Sequence, residues 1–257
     1  GQVKDGFAFR VDDGIFDVDG CAKEAVARAV AQLGGAPVPA GEYRILFENL
    51  AMGDLLAAFS PMFSADAAQK GLSLLAGKEG GCRAVRHHFG RSIPCRESAC
   101  VRCGRRAMRY KARGGQRRSE NTAAQPENRK KSGGSFDGKR RARRRFRTCR
   151  RNAHQPGTEC FDALTAKLGN GLIITDVSGL HAGLNTISGE FSLLASGMLV
   201  ENGKAVRAVE QITVSGSFLS LMRGVEAVGS DLRFGLPGTS CFGSPSVLVS
   251  TLAVSGK

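Results

Sequence analysis

No apolar run in this chain approaches the roughly 18 residues that a membrane-spanning helix requires, so no helical span is expected. The opening lacks the basic-then-apolar pattern of a signal peptide. It begins at Gly1 and its first methionine is Met52, so it reads as a sequence cut into downstream of its natural start. One stretch also lacks the raw material of a core. Residues 81–160 contain no leucine, and Val85, Ile93 and Val101 are their only Leu, Ile or Val residues. A segment so poor in aliphatics cannot bury enough apolar area to offset the entropy of ordering it.

That same stretch explains the charge. The whole chain is +14, a balance that invites a nucleic-acid reading, because clustered Lys and Arg attract phosphate. Residues 81–160 hold 24 Lys and Arg against 5 Asp and Glu, and what remains of the chain is mildly acidic. Six of the eight cysteines crowd there too: Cys82, Cys95, Cys100, Cys103, Cys149 and Cys160. Without a secretory signal such crowding does not indicate a disulfide framework. Cys95, Cys100 and Cys103, with His87 and His88 upstream, have the outline of a zinc knuckle. They lack a second tight CxxC pair and aliphatic support, and the pattern is read as incidental. The run from Lys139 to Arg145 would bind polyanions non-specifically. Only Phe136 and Phe146 lie beside it, which leaves stacking readout unsupported.

Outside the basic segment the patterns are ordinary. GFAFRV (6–11) reads as a strand, and Ala22, Val26, Ala29, Val30 and Leu33 keep helical spacing before Gly34 and Gly35. Tyr43 to Phe47 reads as a buried strand. Asn49 and Ser64 are candidate N-caps for helices over 50–59 and 65–75. Phe161, Leu164 and Leu168 predict a short helix stopped by Gly169, followed by a strand from Leu172 to Val177. Asn202-Gly203 between two apolar runs predicts a hairpin, because both turn residues need positive φ. The spacing from Phe218 to Val228 predicts a helix, and Ser246 to Val254 a closing strand. The expected class is α+β: the end of an α/β N-terminal domain (1–80), an irregular basic segment (81–157), and a mainly antiparallel β C-terminal domain (158–257).

The stretches GNGLIITDVSGLHAG (169–183), SGEFSLLASGMLVENGK (188–204), QITVSGSF (211–218), AVGSDLRFG (227–235) and GSPSVLV (243–249) resemble, in order, the TldD/PmbA metallopeptidase family, closest to its PmbA (TldE) branch. Residues 1–79 resemble the end of that family's N-terminal domain and the start of its C-terminal one. The TldD branch carries a His-Glu-x-x-x-His helix, in which the histidines hold zinc and the glutamate serves as base for water. Here Ala57, Ala58 and Met62 fall at those three positions, so the resemblance implies no metal in this chain. It implies instead a non-catalytic subunit, cytoplasmic, partnered by a zinc-bearing TldD-type subunit and acting on unfolded or leader peptides. A stand-alone metallopeptidase is the disfavoured enzyme reading. A polyanion-binding protein acting through the Arg-rich run is the alternative from another class.

His181, Gly183 and Asn185, in and just after a glycine-rich loop, are the candidates for the substrate cleft. For His181 a contact to peptide backbone competes with a purely structural turn, and the local pattern favours the turn. Cys241 sits near where the TldD branch supplies a cysteine ligand, but TSCFGSPS lacks that branch's context and reads as an ordinary thiol.

The basic segment has nearly the length the family would supply there, with the wrong residue types. Codon degeneracy permits a test. Pro126 to Gly133 can be encoded so that reading one base later gives Leu-Lys-Thr-Ala-Lys-Lys-Ala-Gly, a sensible helix. The flanks 113–125 and 134–140 yield family-like text in the same frame. Residues 81 to about 156 are therefore expected to be out of frame, with the return between Pro156 and Glu159.

Overall fold

A computed structural model describes residues 3–9, 17–63, 70–73, 150–153, 156–235 and 240–256. Of the helix expected over 65–75 only 70–73 are described, and they form a turn with Gly71 at φ 70 instead of a helix. Most of the basic segment, including the Arg-rich run and the Cys95–Cys103 cluster, lies outside the described residues.

The centre is a six-stranded sheet in the order β1-β3-β4-β5-β9-β6. Its strands are β1 (Gly41–Phe47), β3 (Gly171–Ser178), β4 (Glu190–Glu201), β5 (Lys204–Ser217), β6 (Val225–Val228) and β9 (Val247–Ser255). β1 also pairs along β9, so β1, β3, β4, β5 and β9 form a closed ring of neighbours. Closure removes the open edges that would otherwise template pairing with other chains. Only β1 and β3 run parallel within it, and β1 is buried on both faces at Ile45, Leu46 and Phe47. The chain is thus α+β with a sheet-rich C-terminal region, as the strand patterns indicated.

Two layers cover this sheet. On one face α2 (Asn49–Phe59) buries Met52, Leu55, Leu56 and Phe59 in the main core, with α4 (Phe218–Arg223) adding Phe218, Leu221 and Met222. The Phe59 ring lies 4.5 Å from Phe218 and 6.3 Å, edge-on, from Phe191. On the other face α3 (Phe161–Leu168) sets Leu164 and Leu168 against Leu46, Ile173 and Leu248. A second, three-stranded sheet, β2 (Arg150–Ala153), β8 (Ser240–Ser244) and β7 (Arg233–Phe234), runs beside α2 in the order β2-β8-β7. β2 comes from the end of the basic segment. Its parallel pairing with β8 uses backbone groups only, which any residue type supplies.

Three further local expectations need correction. Gly6 to Phe9 joins no strand among the described residues. The helix expected to reach Val228 stops at Arg223, where Gly224 lets the chain turn and Val225–Val228 pairs with β9. Asn49 is not the N-cap of α2; Glu48 holds that position, and the Asn49 amide is committed elsewhere. The hairpin is as expected, with Asn202 at φ 50 and Gly203 at φ 73.

Candidate functional site

The surface of α2 is where a metallopeptidase of this resemblance would hold its metal. Asp54 is exposed on α2, Ala57 and Ala58 are half-buried, and Met62 lies beyond the helix in a 3-10 turn (Ser60–Phe63). Met62 is 1% exposed and packs into the main core. These three positions offer two methyl groups and a thioether committed to packing. They do not fit a zinc site. Among the described residues no three His, Cys, Asp or Glu side chains lie close enough together to form a metal site.

Asp54 lies within electrostatic reach of Asp176 of β3, where a bulge between Ile174 and Asp176 shifts the strand's register and the Asp176 side chain is exposed. Loss of water, and then the charge of Asp176, raises the Asp54 carboxyl above its ordinary value, although one edge stays in solvent. A raised pKa in the fold means that stability falls as pH rises past the unfolded value, near 4. Asp54→Asn is therefore expected to be more stable than the parent at pH 7, and indistinguishable from it near pH 3. Solvent screening limits the gain to tenths of a kcal/mol. Urea unfolding at the two pH values checks it, and an equal difference at both would contradict it.

The loop after β3 is built by its backbone. Gly183 N donates to Gly179 O (2.7 Å), and Ser192 N donates to Gly183 O (2.6 Å). A Cβ at position 183 would stand 2.3 Å from the Ser192 carbonyl oxygen, so this approach requires glycine. Asn185 Oδ1 accepts from Ile187 N (2.8 Å) and Ser188 N (3.1 Å), the side-chain turn expected of asparagine. Leu180 and Leu184 pack on the main core and anchor the loop. Gly183 and Asn185 line one shallow groove of about 540 Å³ with Glu190 and Phe191. His181 is exposed and lies outside that groove. Cys241 begins the middle of β8 as a backbone position paired with Arg151.

Sequence reasoning missed a heavily bonded buried carboxylate. Asp231 Oδ1 accepts from Ser246 N (2.9 Å), while its Oδ2 accepts from Ser246 Oγ (2.6 Å) and Asn49 Nδ2 (3.1 Å). Asn49 Nδ2 also donates to the Asp231 carbonyl (3.1 Å). Ser246 is fully buried and Asn49 nearly so. This joint ties the start of α2 to the start of β9. Its signal was present only as the aspartate inside AVGSDLRFG. Beside it, Arg28 holds the Glu48 carboxylate at 2.6 Å; burial pushes the Glu48 pKa up by more than Arg28 pulls it down.

A closed, antiparallel-dominated ring of strands with α2 on one face and α3 on the other defines the class of fold. The C-terminal domain profile of the PmbA/TldA metallopeptidases matches residues 40–85 and 121–256, and the chain belongs to that TldD/PmbA family. It is 34% identical over 95 residues to the metalloprotease PmbA homolog of Haemophilus influenzae, spanning 37% of this chain and 20% of that protein. With metalloprotease PmbA of Escherichia coli O157:H7 the identity is 33% over 73 residues, 28% of this chain and 16% of that one. In structure it resembles a candidate modulator of DNA gyrase from Thermotoga maritima (TM-score 0.71, 28% identity), covering 93% of this chain and 56% of that chain. The fold is also that of TldE from Thermococcus kodakarensis (TM-score 0.69, 17% identity), covering 94% and 56%. The chain thus spans just over half the length of these solved relatives, and the alignments cover no more than a fifth of the two curated ones.

Proposed function

We propose that this chain is the non-catalytic, PmbA-type subunit of a cytoplasmic TldD/PmbA metallopeptidase, paired with a zinc-bearing TldD-type subunit and acting on unfolded or leader peptides. The observation that carries this reading is the α2 surface, where Ala57, Ala58 and the core-packed Met62 replace His, Glu and His. None of these three side chains can hold zinc or take a proton from water. What the site retains is shape. The groove at Gly183 and Asn185 is a shallow trough suited to a peptide main chain, and Asp54 adds a carboxylate to the exposed face of α2.

Elemental analysis of the purified chain tests the metal half of this reading. Zinc is expected well below one equivalent, both in the parent and after Cys95, Cys100 and Cys103 are changed to Ser. One tightly held zinc per chain that survives those substitutions would overturn it.

The frame reading of residues 81–156 is proposed with it. The family match skips residues 86–120 and re-enters at 121, so it runs through part of the segment whose composition departs. Resequencing the coding DNA decides this directly. A one-base change that restores leucine-bearing text is expected; an intact frame through 81–156 would refute it.

A further inference from the structure

We propose that residues 3–9 and 17–33 form an arm held on the sheet domain by ion pairs, one that salt releases while the domain stays folded. The arm consists of the segment 3–9 and α1 (Val18–Ala31). These two pack on each other so closely that a Cβ on Gly6 would stand 1.8 Å from the Ala25 carbonyl oxygen. Against the rest of the protein α1 buries no residue completely, and it packs extensively against no strand or other helix. Its apolar stripe faces away: Val18 and Val26 are each 63% exposed and Val30 58%. The family match begins only at residue 40, beyond the arm.

Among the described residues, the contacts that join arm to domain are mainly ion pairs. Lys4 pairs with Glu210 of β5, Arg28 reaches Glu48 at the head of α2 (2.6 Å), and Glu24 accepts from Arg233 of β7 (2.6 Å). Arg233 also donates to the Phe9 carbonyl (3.1 Å), with its guanidinium 5.4 Å from the centre of the Phe9 ring. All six charged side chains keep between 18% and 24% of their surface in water. Each pair keeps an edge in water, so salt weakens it in part, whereas apolar burial is not weakened. The two parts of the molecule therefore differ in salt response: the ring of strands is held by its core, the arm by its latch.

Hydrogen exchange of the full chain, followed by mass spectrometry at about 20 mM and about 1 M sodium chloride, separates them. Exchange in 18–31 is expected to speed up about tenfold at high salt, while β4 and β5 amides change less than about twofold. Glu24→Gln, and separately Arg233→Gln, should reproduce the faster exchange in 18–31 at low salt. Lys167→Gln, which breaks the exposed pair with Glu159, should leave α1 unchanged. Exchange in α1 that ignores salt overturns the proposal, as does exchange that follows β4 and β5 at every salt concentration, whether both are protected or neither.

Discussion

Asp231→Ala is expected to cost about 3–5 kcal/mol of folding stability, a large fraction of what a domain of this size has to lose. The carboxylate is the acceptor for the Ser246 amide, the Ser246 hydroxyl and the Asn49 side-chain amide, all within 3.1 Å. Ser246 is 0% exposed and Asn49 9%, so water cannot readily replace the lost partner. Each stranded donor costs about 1–3 kcal/mol, and a small alanine supplies none of the missing acceptors. The substitution should also loosen the start of α2 from the start of β9, because the Asn49 amide then keeps only the Asp231 carbonyl as acceptor. A urea midpoint that falls with unchanged slope is the expected signature. A loss below about 1 kcal/mol would show that the joint is not the staple its geometry describes.

The strands were legible because their signals are local. Asn202-Gly203 supplies two positive-φ residues between alternating strands, and no tertiary contact is needed to see that. β1 and β3 were legible as apolar runs, though that they lie parallel was not. The misreadings share a different cause. Phe218, Leu221, Met222 and Val225 continue a helical period, yet the edge of β9 captured Val225–Val228 once Gly224 broke the helix. The segment at Gly6 has strand-like alternation, but its neighbour is a helix and offers no backbone partner. Asn49 has the right side chain for a cap, and its amide went instead to a residue 182 positions away. Contacts at that separation leave no trace in a window of a dozen residues.

The candidate site divides in the same way. Ala57, Ala58 and Met62 could be singled out from the order of the family text, and Gly183 and Asn185 from their loop. The groove that unites the latter two, and excludes His181, required coordinates. So did the electrostatic reach between Asp54 and Asp176, which stand on a helix and a bulged strand more than a hundred residues apart. Nothing local to either aspartate marks the other as its neighbour.

Peptide cleavage measured with separated and recombined subunits tests the central claim most directly. The full-length protein, with 81–156 read in the restored frame, is assayed alone, beside a TldD-type subunit alone, and mixed with it, on an unfolded peptide. Because Ala57, Ala58 and Met62 supply neither zinc ligands nor a general base at the motif positions, the isolated chain is expected to cleave nothing above background, before or after added zinc. The mixture should cleave, and at a rate well above the partner by itself, because the groove and the metal then belong to one complex. Cleavage by the isolated, metal-stripped chain, or a mixture no faster than the partner alone, would contradict the account.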